Sequence, residues 1–325
     1  MVTLDDLKLA QRRLHGVATR TPLIPCHLNN EQRKLWLKPE SFQPIGSFKL
    51  RGAYNKIASL SENERKRGVI SYSSGNHAQG VAYAARAMDT KSVIVMPNNA
   101  PPVKVESTAR YGAEIVIVGP GSYERQRKAE ELAAEHGYVV IPPYNDEKII
   151  AGAGTVGLEI AEDLPDVEVV LVPVGGGGLI SGTSTAVKLL HPNAKVIGVE
   201  PALASDAQAS LRSGNIVEFT AEEVSRTLAD GLRTQALGNI TFEHIRKYVD
   251  DIVTVTEEEI REAVRRMISV AKIVPEPSGA VTFAALLFHS SELPKAQKHV
   301  AVVSGGNIEP ALLADILERS VPSNA

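Results

Sequence analysis

The sequence predicts an α/β fold with parallel sheets, and three features carry that prediction. Short apolar runs alternate with helical patterns along almost the whole chain. Several runs are nearly continuous in apolar residues, as strands covered by helices on both faces are. Knots rich in glycine, serine and asparagine fall where such strands lead into helices. In open α/β sheets that is where ligands bind.

In chain order the candidate strands are VISYS (69–73), SVIVM (92–96), EIVIV (114–118), YVVI (138–141), VEVVLVPV (167–174), KVIGVE (195–200), DIVTV (251–255) and HVAVVS (299–304). Helical segments such as SYERQRKAEELAAEHG and TEEEIREAVRRMISVAKI lie between them. The second opens with Thr256 and Glu259 at capping-box spacing. Such alternation implies parallel strands joined by helical crossovers. Residues 68–145 hold four strand–helix units, and IPPYNDE separates them from the remainder of the chain. They read as a smaller, mobile domain inserted into a larger one made of 1–67 and 146–325.

Composition bounds the function. The chain has 325 residues, 43% apolar and 22% charged, an ordinary globular mixture. A net charge of -3 with no basic block argues against nucleic acid and anionic membrane as partners. No apolar stretch approaches the ~20 residues a bilayer span needs. The opening MVTLDDLKLAQRRL lacks the layout of a signal peptide. Cys26 is the sole cysteine, so no intrachain disulfide forms and a reducing cytoplasm is the expected setting.

Three junctions carry the chemistry. VPVGGGGLISG sets Gly175, Gly176, Gly177 and Gly178 between a strand and a helix. Backbone N–H groups there can converge on a phosphate, helped by the helix dipole. The spacing is neither a dinucleotide fingerprint nor a P-loop, so a smaller phosphate-bearing group is implied. SFKLRGAYNKI places Lys49 beside Phe48 before a helical pattern. A phosphate cradle together with an amine that can be desolvated suggests pyridoxal phosphate held as a Schiff base. VVSGGNIEP ends a buried strand at Ser304, whose hydroxyl can reach a ring nitrogen or cap a turn.

SFKLRG, SSGNHAQG, AGAGT, VGGGGLISG, GVEP, EPSGA and SGGN occur in this order over nearly the whole chain. Together they resemble the serine racemase and serine/threonine dehydratase family of fold-type II pyridoxal-phosphate enzymes, serine racemase most closely. The resemblance implies two open parallel-sheet domains of the tryptophan synthase β kind, with the cofactor between them, and a homodimer. It gives Lys49 the Schiff base, Gly175 to Gly178 the phosphate, Asn76 the ring hydroxyl, Ser304 the pyridine nitrogen and Phe48 a packing role against the ring. The loop Ser73, Ser74, Gly75, Asn76 and His77 would receive the substrate carboxylate at a helix N-terminus. Ser74 would be the proton carrier opposite Lys49, where dehydratases often have alanine. Glu200, Ala204 and Asp206 match the family's Mg²⁺ or Ca²⁺ site, two carboxylates and a carbonyl suited to a hard cation. Resemblance to mammalian-type racemases also assigns Gln79, Tyr111, Lys272 and Asn307 to an ATP effector. Tyr123 and Tyr144 stand where some of those racemases carry arginine and asparagine.

The expected activity is serine racemisation with α,β-elimination to pyruvate and ammonia. The alternative is a threonine or threo-3-hydroxyaspartate dehydratase without significant racemisation. From other classes, a nucleotide-binding oxidoreductase with Glu200 on a ribose lacks the glycine spacing, and a non-catalytic cofactor binder would not need the complete set of cofactor residues.

Overall fold

In the computed structural model the described residues are 1–27, 33–73, 75–100, 102–119 and 121–318. They form ten strands: β1 (Ile24–Cys26), β2 (Lys34–Pro39), β3 (Val69–Tyr72), β4 (Ser92–Pro97), β5 (Glu114–Val118), β6 (Val139–Val140), β7 (Val169–Pro173), β8 (Lys195–Pro201), β9 (Asp251–Val255) and β10 (Lys298–Val303). Six make one sheet in the order β1-β2-β10-β7-β8-β9, and four make another in the order β5-β4-β3-β6. Only β1 against β2 is antiparallel.

Side-chain alternation explains the unbroken apolar runs. On β7, Val169 and Leu171 join the core on one face of the large sheet, and Val170 and Val172 join the core on the other. On β10, Ala301 and Val303 divide from Val300 and Val302 in the same way. Full burial of such a side chain stabilises the fold by about 1.5–3 kcal/mol. One face of the helix Lys49–Ala58 packs with the smaller sheet's elements, its Ala53 and Ile57 meeting Ala78, Val81 and Ile94.

Three elements depart from the sequence reading. β1 and β2 were not anticipated, because lysines interrupt the KLWLKP run. Lys38 on β2 is nevertheless fully buried, because its ammonium donates to Glu159 and to the Thr21 carbonyl, each at 2.6 Å. The segment TEEEIREAVRRMISVAKI is not one regular helix. It is capped by Thr256 and Glu259 as expected, but after Arg266 it widens into a π turn over Met267–Ala271. The turn ends at Lys272, whose φ of +59° stops the helix.

Glycines in AGAGT bring the helices that begin at the site together. A Cβ at Gly152 would lie 2.4 Å from the Arg51 carbonyl, and one at Gly154 would lie 2.8 Å from the Gly182 carbonyl. The helix Glu147–Asp163 therefore backs both the helix that starts at Lys49 and the helix Gly178–Leu190. No helix among the described residues is long and apolar enough to cross a membrane.

Candidate functional site

Strand order assembles the site. β10, β7 and β8 are neighbours, so the loops after their carboxyl ends lie side by side. Those loops carry Ser304, the four glycines and the Glu200–Asp206 stretch. The carboxyl end of β3 leads into Ser73–His77 from the smaller sheet.

Lys49 is the first residue of its helix. The residues before it are fastened to the end of β10: the Phe48 amide donates to the Ser304 carbonyl at 3.0 Å, and Ser47 bridges to Gly305. The Lys49 ammonium donates to the Pro143 carbonyl at 2.7 Å and sits 5.3 Å from the centroid of the Phe48 ring. No described carboxylate pairs with it. Burial therefore acts unopposed and lowers its pKa to about 8.

Two residues further on, Arg51 fixes the back of the same helix. It is buried and donates to both oxygens of Glu40, at 2.7 and 2.9 Å, and to both oxygens of Glu159, at 2.6 and 2.9 Å. With Lys38 these groups form a charge-balanced buried cluster, which anchors the helix to β2, to the turn after it and to the helix Glu147–Asp163.

The glycine loop has the shape of a cradle. Gly177 has φ +89°, which favours glycine, and Gly178 opens the helix Gly178–Leu190. A Cβ at Gly176 would fall 2.3 Å from the Tyr144 ring, and one at Gly177 would fall 2.9 Å from Thr241. Thr241 Oγ1 donates to the Gly176 carbonyl at 2.8 Å and holds the loop from behind. The N–H groups of Gly175 to Gly178 have no acceptor among the described residues. Unpaired donors at a helix N-terminus fit a phosphate.

Asn76 opens the helix Asn76–Ala87. Its amide donates to Glu276 Oε1 at 2.7 Å, and its own oxygen accepts from Asn307 Nδ2 at 2.7 Å. Burial, then the nearby Asp230 charge, raises Glu276 to about 8. EPSGA drew attention to this segment without giving Glu276 a role; only the fold shows that it holds Asn76. His77 is buried, with Nε2 3.0 Å from the Ile141 carbonyl. A carbonyl only accepts, so Nε2 carries the proton. Burial, followed by the Lys49 charge, lowers the His77 pKa to about 3, leaving a neutral ring. The Gly75 amide donates to Ser73 Oγ at 3.3 Å. Ser74 lies outside the described residues.

Ser304 is buried, and its hydroxyl has only a long 3.4 Å contact to the Ser278 carbonyl, which leaves it able to serve a ring nitrogen. Glu200 and Asp206 are both fully buried. Glu200 accepts from the amides of Ala207 and Gln208 at 3.1 and 2.8 Å, whereas neither oxygen of Asp206 has a described donor. Burial, then Asp206, pushes Glu200 well up, and burial raises Asp206 to about 7. Ala204 is buried beside them. An orphaned carboxylate of this kind fits a cation, although no cluster of three His, Cys, Asp or Glu occurs among the described residues.

The four residues assigned to a nucleotide share no hydrogen bond among the described contacts. Gln79 lies one turn beyond Asn76, Asn307 bonds Asn76, and Tyr111 stands edge-on to Tyr83, 5.4 Å between centroids. Lys272 ends the π turn and donates to the Ser269 carbonyl at 2.6 Å. Of the two tyrosines, Tyr123 is 77% exposed, whereas Tyr144 lies on the glycine loop.

A family model described as "Pyridoxal-phosphate dependent enzyme" matches residues 15–305. The chain is 48% identical to an L-threonine ammonia-lyase of Thermotoga maritima over 99% of its own length and 79% of that relative's. It is 39% identical to an L-threo-3-hydroxyaspartate ammonia-lyase of Saccharomyces cerevisiae, covering 97% of this chain and 96% of the relative. The solved structure of maize serine racemase superimposes with a TM-score of 0.92 at 35% identity, covering 97% of each chain. A buried lysine and an unpaired glycine cradle, linked through Pro143 and Tyr144 on this fold and with these relatives, identify the chain as a member of the fold-type II pyridoxal-phosphate dependent enzymes, in the serine/threonine dehydratase family.

Proposed function

We propose that the protein carries out α,β-elimination on a small β-hydroxy amino acid, giving a 2-oxo acid and ammonia, with racemisation of serine as a second activity. The observation that carries this reading is the buried Lys49 amine held by the Pro143 carbonyl, with the next residue, Tyr144, lying on the glycine cradle and the Phe48 amide fastened to Ser304. When bound, pyridoxal 5'-phosphate supplies an electron sink for the substrate's Cα–H bond.

The chain's own residues do the rest. Gly175–Gly178 would hold the phosphate through their N–H groups, Asn76 would contact the ring hydroxyl and Phe48 would pack on the ring. Ser304 would face the ring nitrogen with a neutral hydroxyl, which, unlike a carboxylate, would not keep that nitrogen protonated. Backbone donors around Ser73–His77 take the α-carboxylate. Lys49 removes the Cα proton, hydroxide leaves Cβ, and hydrolysis of the resulting enamine yields the 2-oxo acid and ammonia. Glu200, Asp206 and the Ala204 carbonyl would hold Mg²⁺ or Ca²⁺ with water. Gln79, Tyr111, Lys272 and Asn307 would contact ATP, and Asn307 would link that effector to Asn76. Unchanged kcat/KM and Tm with added ATP would remove the effector from this account.

Racemisation rests on Ser74 in SSGNHAQG, a hydroxyl able to return a proton on the face opposite Lys49. Ser74→Ala should lower D-serine formation from L-serine sharply while pyruvate formation largely survives. Equal loss of both would give Ser74 a binding role. The elimination reading itself is tested with L-serine, L-threonine and L-threo-3-hydroxyaspartate by measuring 2-oxo acid; none from any of the three would refute it.

A further inference from the structure

We infer that Ile45, Asn307 and Glu276 are positioning residues that fix which way round the Asn76 amide stands, so that Asn76 offers an incoming ring oxygen an N–H and not its own oxygen. The inference deepens the proposed cofactor placement and rests on it for the contact between Asn76 and the ring hydroxyl.

An asparagine amide keeps nearly the same shape when its oxygen and nitrogen are exchanged, but the exchange turns a donor into an acceptor. The choice is made at a backbone carbonyl, which only accepts. Asn307 Nδ2 donates to the Ile45 carbonyl at 2.8 Å and to Asn76 Oδ1 at 2.7 Å. Both of its hydrogens are therefore committed. Turned round, Asn307 would set its oxygen against the Ile45 carbonyl oxygen. Asn76 must in turn show its oxygen to Asn307, and its Nδ2 donates to Glu276 Oε1 at 2.7 Å. The second Nδ2 hydrogen of Asn76 has no acceptor among the described residues. That N–H is what remains for a ligand.

The loops hold this chain of bonds from both ends. Gly46 has φ +72°, and a Cβ there would fall 2.3 Å from Asn307 Oδ1, so glycine lets Asn307 come close. The Gly306 amide donates to the Gly46 carbonyl at 2.9 Å, which fastens the loop of Asn307 to the loop that precedes Lys49. At the other end Glu276 is buried, and its amide donates to the Gly305 carbonyl at 3.1 Å. A Cβ at Gly305 would fall 2.4 Å from Glu276 Oε1. Asn307 follows β10 of the larger sheet, whereas Asn76 follows β3 of the smaller one. The amide is thus set from outside its own helix.

The test compares two ligands that differ in the ring hydroxyl alone, pyridoxal 5'-phosphate and 3-deoxypyridoxal 5'-phosphate. Calorimetry on apoprotein gives a Kd for each, and their ratio is compared between variants, so intrinsic differences between the ligands cancel. Asn307→Asp sets an acceptor against Asn76 Oδ1 and turns the amide. Its preference for the hydroxyl-bearing ligand should fall roughly tenfold, as for loss of a hydrogen bond to a charged group. Glu276→Gln still offers Asn76 an oxygen and should keep the preference, whereas Glu276→Met should lower it. A merely structural role weakens both ligands alike. An unchanged ratio in folded Asn307→Asp, or equal ratios in Glu276→Gln and Glu276→Met, therefore overturns the inference. If Asn307→Asp does not fold, the Glu276 pair decides. Asn76→Ala separates the two levels. An unchanged ratio there removes Asn76 from the ring hydroxyl and refutes the cofactor placement itself, whereas a ratio lowered in Asn76→Ala alone overturns only the positioning roles.

Discussion

Lys49 donates to the carbonyl of Pro143 at 2.7 Å, joining the first residue of one helix to the segment that leaves the smaller sheet. This bond is the amine's one described hydrogen bond. No described carboxylate stabilises its charge, so burial acts unopposed in lowering its pKa.

A neutral amine is the nucleophile that captures the cofactor. Lys49 loses its proton at about 8 rather than at 10.5, so capture should accelerate as pH rises through about 8 and level off above it. Stopped-flow absorbance on apoprotein mixed with pyridoxal phosphate checks this. A rate still climbing steeply near the ordinary lysine value would mean that a partner stabilises the ammonium.

His77 makes the apoprotein sensitive to acid. Its folded pKa is about 3, against 6.5 for a free imidazole. Between those values the unfolded chain binds a proton that the folded one does not, so stability falls as pH drops from 6.5 towards 3. The loss is about 1.4 kcal/mol per pH unit from this residue. His77→Gln keeps an N–H for the Ile141 carbonyl and should flatten the profile of urea stability against pH in that window. An unchanged slope would assign the acid sensitivity elsewhere.

The buried cluster is balanced, with Arg51 and Lys38 facing Glu40 and Glu159. Arg51→Ala leaves two buried carboxylates to a single lysine and should cost about 3–5 kcal/mol. Urea unfolding measures it. A loss below about 1 kcal/mol, the range of surface pairs, would show that the cluster does not anchor the helix of Lys49.

Asp206 has two buried oxygens without a described donor. If a divalent cation neutralises them, chelator should lower the Tm, and Mg²⁺ or Ca²⁺ should restore it. A cation at a hundred times its Kd adds about 2.7 kcal/mol. Asp206→Asn should abolish the response. A Tm indifferent to both chelator and cation would remove the site.

The junctions were legible in the sequence because local chemistry marks them: four glycines after an apolar run announce a cradle whatever surrounds them. The strands from β3 to β10 were legible because parallel strands, covered on both faces, leave unbroken apolar runs. β2 was not, because Lys38 becomes a core residue only through Glu159, which lies 121 positions away. The π turn after Arg266 was missed because nothing in RRMISVA interrupts a helical pattern. The contacts of Glu276 and Pro143 were hidden for a similar reason. Each meets Asn76 or Lys49 only through the packing of the two sheets' elements.

The central claim is that Lys49, beside the glycine cradle, removes the substrate's Cα proton. Its most direct test is 2-oxo acid formation from L-threonine and L-serine by cofactor-saturated protein, comparing wild type with Lys49→Ala. The account predicts steady turnover in the wild type and none above background in the variant, with thermal unfolding showing that the variant remains folded. Substantial turnover by folded Lys49→Ala without added amine would contradict it.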